Sequence, residues 1–242
     1  MNERITFAEA GYAFLKGGYP YSQGVAALPG FAIERVRLAQ PLPMAQGWRV
    51  VADWLKAQGR PLIALCACEL RSPKPFSFDG FGEFNKGYRA VLEDWKIIRD
   101  GLNPVARSNV APVGHPPAEP CFYAFCYTIK GMGSNFVVAG SGEWPEGGKF
   151  PEDIVARGDV STQGLQKKAS FVIGKMRSRM DGLGVSQPSV AQVYTAYDFH
   201  PVMPEIEALA PRASVTWHRC RPPIEGLDFE MDVRAVSAER FS

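Results

Sequence analysis

The sequence runs PRASVTWHR at residues 211–219 and, after a turn that contains two prolines and a glycine, LDFEMDV at residues 227–233. Acids alternate with apolar residues in the second run, the pattern of a strand with one buried face. The two runs therefore predict two strands joined by a turn, with Arg212 opening the first and Glu230 on the second. A guanidinium matches the two oxygens of a carboxylate, and a carboxyl group can move a proton or direct a water.

A similar combination occurs about half a chain length earlier. The run PVARSNV at residues 104–110 contains Arg107, and the apolar run CFYAF follows at residues 121–125. The recurrence of an arginine before a strand favours a duplicated domain. We expect the two domains to span residues 1–129 and 130–242.

Apolar periodicity predicts the same element order in each half: strand, helix, strand, helix, strand, strand. Residues 46–58 have the spacing of a first helix, and Asp79 is a candidate N-cap for the second. In the second half, Asp159 or Ser161 is expected to cap a long helix. The second helix of that half is predicted to be short, at residues 204–209.

Composition narrows the possible partners. Of the 242 residues, 46% are hydrophobic and 21% are charged, which is typical of a folded core. The net charge of +2 is too small to favour a nucleic acid or an anionic membrane surface as partner. No apolar run approaches the roughly 20 residues of a spanning helix. We therefore expect a small-molecule ligand, with no nucleic acid and no membrane.

The cysteines favour a cytoplasmic protein that needs no metal. Their number, five, is odd, and they lie in apolar runs, so they are predicted to be reduced and mostly buried. Cys66 and Cys68 lack the two-residue gap of a zinc knuckle. The glycines at residues 131–133 are not followed by the Lys-Ser/Thr of a phosphate loop. We expect no metal and no cofactor.

Several short motifs occur in the same order in both halves. They are YPYSQG at 19–24, DGFGEFNKGY at 79–88, PVARS at 104–108, VAGSGE at 138–143, RASV at 212–215 and FEMD at 229–232. Together they resemble the RidA/YjgF family of reactive-intermediate (enamine/imine) deaminases, present as two copies in tandem. The resemblance covers nearly the whole chain.

The resemblance implies an α/β (α+β) fold of two RidA/YjgF-like, chorismate-mutase-like units. Each unit would be a mixed sheet with two helices packed on one face. The family assembles as trimers with sites between subunits. Two halves cannot close a three-membered ring, so the expected assembly of this chain is a homotrimer, with three chains and six halves.

The resemblance also implies roles for single residues. In the family an arginine binds the substrate carboxylate, a glutamate of the last strand activates water, and a tyrosine lines the pocket. The matches are Arg107 and Tyr21 in the first half, and Arg212, Glu230, Ser141 and Gly142 in the second. Neither half has a complete set, so we expect one composite site across the halves or across subunits.

Two of these assignments have alternatives. Asp232 lies on the same strand face as Glu230 and is the competing acid–base residue. Ser141 is expected to be a turn residue whose backbone faces the ligand, and no Ser/His/Asp arrangement supports an acyl-enzyme.

The function implied by the resemblance is cofactor-independent, hydrolytic deamination of an enamine or imine carboxylate. Two arginines favour a dicarboxylate, so 2-aminomuconate or a substituted 2-aminomuconate from aromatic degradation is the leading substrate. The alternative is a non-catalytic ligand-binding or assembly protein, because the first half lacks the glutamate. A ribonuclease is disfavoured by the near-neutral charge.

Overall fold

The computed structural model describes residues 3–198 and 200–242, and this part of the chain contains twelve strands and four α-helices. The strands are β1 (Arg4–Phe7), β2 (Tyr12–Leu15), β3 (Gly24–Ala27), β4 (Phe31–Pro43), β5 (Leu65–Arg71), β6 (Ala106–Pro112), β7 (Cys121–Lys130), β8 (Phe136–Gly142), β9 (Val190–Thr195), β10 (Ser214–Arg221), β11 (Phe229–Ala235) and β12 (Ala238–Phe241). The helices are α1 (Met44–Ala57), α2 (Phe78–Asp94), α3 (Thr162–Leu183) and α4 (Met203–Leu209). Among the described helices, none is both long and apolar enough to cross a membrane.

All twelve strands form one mixed sheet in the order β1-β2-β3-β8-β11-β9-β10-β6-β5-β7-β4-β12. Three neighbouring pairs are parallel, namely β9 with β10, β5 with β6, and β4 with β12. The other neighbours are antiparallel. The predicted α+β class with a mixed sheet is confirmed.

Two segments of the sheet have the same internal order. The first is β4-β7-β5-β6 and the second is β8-β11-β9-β10, with matching strand directions in each. The two segments meet where β10 pairs with β6 in an antiparallel register, Cys220 opposite Pro112 and Arg221 opposite Ala111. The long helices α1 and α3 follow β4 and β8, the first strand of each segment. The second helix of the first segment is α2, with 17 residues before β6, and that of the second segment is α4, with 7 residues before β10.

The two ends of the chain cross over between these segments. Strands β1 to β3 extend the second segment, because β3 pairs with β8. Strand β12 extends the first segment, because it pairs with β4. These four strands lie outside the predicted pattern, which treats residues 17–25 as a turn-rich stretch. The domain boundary between residues 129 and 130 stays a prediction.

The sheet curls so that β6 lies against β8 and β11. An isolated parallel bridge links Ser22, just before β3, to Ala106 at the start of β6. Farther along β6, the Ser108 hydroxyl donates to Oδ2 of Asp232 on β11 at 2.7 Å. Residues of the first half are thereby placed beside residues of the second half.

Apolar residues cover both faces of the sheet. Helix α1 buries Trp48, Val51 and Leu55 at the predicted helical spacing. Successive strand side chains point to opposite faces, so Phe125 packs in the core under α1 and α2, whereas its neighbour Cys126 packs in a separate core. That separate core also contains residues from both halves, among them Tyr12, Ala106 and Val137.

The helix caps differ in part from the sequence prediction. Ser77, not Asp79, caps α2, since its hydroxyl accepts from the Gly80 N–H at 3.1 Å. Ser77 has the extended backbone of an N-cap, whereas Asp79 already lies inside the first turn, where its charge still favours the helix dipole. Of the two candidates for α3, Ser161 is the cap, and its hydroxyl accepts from the Gly164 N–H at 3.2 Å.

The five cysteines are all buried and free of disulfide bonds, as predicted. Burial raises the pKa of the Cys68 thiol to about 12. These thiols therefore pack as small apolar groups.

Candidate active site

A cavity of about 380 Å³ lies where the two halves meet. Of the six site residues predicted from the sequence, five line it: Tyr21, Arg107, Ser141, Gly142 and Glu230. The first two come from the first half of the chain and the other three from the second. A single chain therefore combines site residues from both of its halves in one cavity.

Arg107 is a buried cation of this cavity. It lies on β6 with 2% of its surface exposed, and neither Nη1 nor Nη2 has a hydrogen-bond partner among the described residues. Its guanidinium carbon lies 4.8 Å from the ring centre of Tyr21 and 4.7 Å from that of Tyr88. Aromatic rings hold the guanidinium in place without using its donors. Because a buried charge is costly without a partner, an anionic ligand is favoured here.

Glu230 lies on β11 and is 3% exposed. Burial is the main cause that raises its pKa to about 8, and the negative charge of Asp232 adds to it. Arg107, Arg71 and the backbone N–H of Asn109 oppose this increase. The carboxyl group is therefore mostly protonated at neutral pH, which suits a group that first donates a proton.

Asp232 faces a different environment although it is only two residues away. One of its oxygens accepts from both Ser108 Oγ at 2.7 Å and Tyr194 OH at 2.9 Å. It is 3% exposed and does not line the large cavity. Of the two candidate carboxyl groups, Glu230 is the one that faces the cavity.

Tyr21 and the Ser141–Gly142 pair form two further walls. Tyr21 is half-buried, and burial raises the pKa of its phenol, which keeps the group protonated as a donor. Ser141 and Gly142 belong to β8, where Gly142 is opposite Glu230 in the ladder. The prediction that Ser141 is a turn residue is wrong, because β8 continues through Gly142 as the partner of β11.

Arg212 lies outside this cavity. It is exposed in the turn that follows α4, two residues before β10 begins. The structure does not place Arg212 in the environment of Arg107. Arg107 lies within β6, whereas Arg212 precedes β10. The carboxylate-binding role predicted for Arg212 therefore has no support from the geometry.

A second cavity arginine, Arg179 on α3, was not among the predicted site residues. It is 3% exposed and lines the cavity. Its Nη1 donates to the carbonyl oxygens of Ala139 at 2.9 Å and Gly140 at 3.3 Å. A signal for it exists in the sequence, because it follows Val172 by two helical turns and Met176 by one, on the apolar stripe of the helix.

Other unpredicted residues give the cavity a polar and an apolar part. Asn85 Oδ1 and Asn109 Nδ2 are buried there and have no hydrogen-bond partner among the described residues. The apolar wall consists of Phe78, Phe81, Trp144, Ile224 and Leu227. The site therefore offers cations, a protonated carboxyl, free amide groups and an apolar surface, which suits an unsaturated, carboxylated ligand.

The family profile and the curated relative point to the same family. A family profile described as 2-aminomuconate deaminase CnbZ matches residues 4–240. The chain is 41% identical over 249 aligned positions to a 2-amino-5-chloromuconate deaminase of Comamonas testosteroni, covering 99% of each protein. Among solved structures, a chorismatase crystal structure gives a TM-score of 0.49 at 13% identity, covering 97% of this chain and 79% of that one. The fold comparison adds no argument about function.

Proposed function

This chain belongs to the 2-aminomuconate deaminase CnbZ family, and from that membership we propose that its cavity removes by hydrolysis the amino group of 2-aminomuconate or of a substituted 2-aminomuconate. One water would be consumed and one ammonia released for each substrate. The product would be the corresponding 2-oxo acid.

The observation that carries this proposal is the pairing of Arg107 with Glu230 in one cavity. The free guanidinium donors of Arg107 are suited to bind the carboxylate next to the reacting carbon. The buried carboxyl of Glu230, with its pKa of about 8, is suited to deliver a proton to the bound enamine.

The first step proposed is protonation of the substrate. Glu230 gives its proton to a carbon of the conjugated dienamine, and the nitrogen lone pair forms a C=N double bond at carbon 2. The substrate becomes an iminium ion, and Glu230 becomes a carboxylate beside the positive charge of Arg107. The iminium carbon is now electrophilic.

The second step is the attack of water. Glu230 takes one proton from water while the water oxygen bonds to carbon 2, which gives a neutral carbinolamine. The carboxyl then protonates the amine, the C–N bond breaks, and the hydroxyl proton returns to Glu230 as the C=O bond forms. Ammonia leaves, and Glu230 ends in its starting protonation state.

We also propose that the chain is a tandem RidA/YjgF-like duplication with one composite site. The matching order of β4-β7-β5-β6 and β8-β11-β9-β10 supports the duplication. The cavity itself combines Arg107 from one half with Glu230 from the other, so a second chain is not needed to supply either residue. A homotrimer remains our proposal for the assembly, and light scattering at several protein concentrations tests it.

The deaminase proposal is tested by stoichiometry. The purified chain is mixed with 2-aminomuconate generated in situ, and ammonia and substrate are followed together. One ammonia for each 2-aminomuconate lost, at a rate proportional to enzyme, is the expected result. Saturable binding without ammonia release would favour the non-catalytic alternative and overturn the proposal.

A further inference from the structure

The cavity holds a second cation whose partner comes from the protein itself. Arg179 Nη2 donates to Glu146 Oε1 at 2.6 Å, and both side chains line the cavity. The guanidinium is fixed from behind by the carbonyl oxygens of Ala139 and Gly140, while its Nε has no hydrogen-bond partner among the described residues. The Glu146 carboxylate is thus paired with a cation that faces the ligand space.

Glu146 is placed so that it can leave this cation. Its side chain is 44% exposed, whereas that of Arg179 is only 4% exposed. The loop between β8 and α3 is held independently by aromatic contacts, since Phe78 stacks on Phe150 with ring centres 4.6 Å apart and Trp144 meets Phe150 edge-on at 5.6 Å. Rotation of the Glu146 side chain into solvent therefore leaves these contacts intact.

The charges in the cavity favour such an exchange. Glu230 is mostly neutral at pH 7 because its pKa is about 8, so it does not offset the charge of the cavity arginines. Arg107 and Arg179 together contribute two positive charges to the cavity. With Glu146 in place, one of these charges is already paired. A ligand with a single carboxylate completes the balance, but a ligand with two carboxylates requires Glu146 to leave.

We propose that Arg179 is the receptor for the second carboxylate of a dicarboxylate substrate, and that this carboxylate displaces Glu146 from Arg179. The proposal rests on the proposed function, in which Arg107 binds the first carboxylate. It makes the Arg179–Glu146 pair the determinant of selectivity for dicarboxylates over monocarboxylates. Arg179 thereby takes the place that the sequence analysis gave to Arg212.

Two unreactive ligands isolate this contact from the chemistry. Muconate (hexa-2,4-dienedioate) and sorbate (hexa-2,4-dienoate) share a six-carbon diene and differ in the second carboxylate. Isothermal titration calorimetry at pH 7 measures the affinity of both. The wild type is expected to bind muconate at least about tenfold more tightly than sorbate, the range of one charged hydrogen-bonded contact.

Substitution of Arg179 should remove this preference. Arg179→Met is expected to weaken muconate by about 10- to 100-fold and to leave sorbate unchanged. Arg177→Met is the matched control, because Arg177 is an exposed arginine on the same helix, and it should change neither affinity. Equal weakening of both ligands by Arg179→Met, or a preserved preference, would overturn the proposal.

Glu146→Gln provides a test at a partly exposed position, where the fold is less at risk. Removal of the competing charge should tighten muconate binding several-fold with no change for sorbate, and the gain should vanish in the double variant with Arg179→Met. Unchanged muconate affinity in Glu146→Gln would overturn the exchange.

The deaminase proposal and the Arg179 proposal can fail independently. A preference for muconate over sorbate without ammonia release would overturn only the deaminase proposal. Ammonia release without that preference would overturn only the role of Arg179 as receptor for the second carboxylate.

Discussion

Gly140 lies directly against the carboxyl group of Glu230. A Cβ at position 140 would collide with Glu230 Oε1 and approach Ser108 Oγ to 3.0 Å. Glycine has only a hydrogen atom in place of Cβ, so the carboxyl group of Glu230 has room beside position 140. Gly140 lies at an irregularity of the β8–β11 ladder, between the pairs Met231–Ser141 and Val233–Val138, which brings its backbone close to the Glu230 side chain.

Gly140→Ala is therefore expected to inactivate the enzyme by displacing Glu230. A shift of about 1 Å in a catalytic group costs about 100-fold in rate, and ammonia release should fall by that order. Gly174→Ala is the matched control, since a Cβ there meets no atom within 4 Å in the middle of α3. The control should keep full activity and gain up to about 1 kcal/mol of stability. Full activity in Gly140→Ala would refute the assigned position of Glu230.

Glu230→Gln should lower the turnover number by about 100- to 10,000-fold, because glutamine cannot transfer the proton. Glu152→Gln, at an exposed loop position, should have no effect on turnover. Steady-state ammonia release measures both variants. A Glu230→Gln enzyme as fast as the wild type would assign the proton transfer to another group.

The wild-type rate should fall as the pH rises through about 8. The pKa of Glu230 is raised to about 8 mainly by burial, so its acid form predominates below that pH and is lost above it. Initial rates of ammonia release between pH 6 and pH 10, at substrate concentrations well below KM, give the profile of kcat/KM, which reports the free enzyme. A flat profile across this range would show that the protonated carboxyl is not required.

Arg107→Met should reduce kcat/KM by about 10- to 100-fold, because it removes the guanidinium that we propose binds the carboxylate. Arg212→Met should have little effect, because Arg212 is exposed outside the cavity. The motif resemblance predicts a loss for both. Kinetics of the two variants therefore decide between the motif and the geometry.

Lys168→Met should destabilise the fold. Lys168 is 0% exposed, and its Nζ lies 3.4 Å from Glu143 Oε1 and 3.0 Å from Asp228 Oδ2. Loss of one partner from a buried ionic group costs about 3–5 kcal/mol, which urea unfolding measures. Lys167→Met, an exposed neighbour, should stay within about 0.5 kcal/mol of the wild type. Equal stabilities would show that the buried group contributes nothing net.

Local patterns in the sequence predict part of this fold well. The helical spacing of Trp48, Val51 and Leu55 is enough to locate α1, because a helix buries one stripe of side chains. Alternation in LDFEMDV likewise locates β11 and the strand face shared by Glu230 and Asp232. The crossed pairing of β1–β3 and β12 is not visible locally, because strand pairing depends on residues far apart in the chain.

The site residues show the same limit. Arg107 and Glu230 are recognisable because each lies within a strand whose residues match a known motif in order. Arg212 shares the short motif but lies in a turn, so its side chain does not share the environment of Arg107. Arg179 could have been found as a charged residue on an apolar helical stripe, which requires a buried polar partner.

The crossing of the chain ends ties the two halves of the chain together in one sheet. The amino-terminal strands cover the edge of β8, and Arg240 of the last strand pairs with Glu34 on β4 at 2.7 Å. A gene split at the midpoint would yield two products, each carrying strands that belong to the other and each with an uncovered edge. The sheet of either half is therefore completed only by strands that the other half carries.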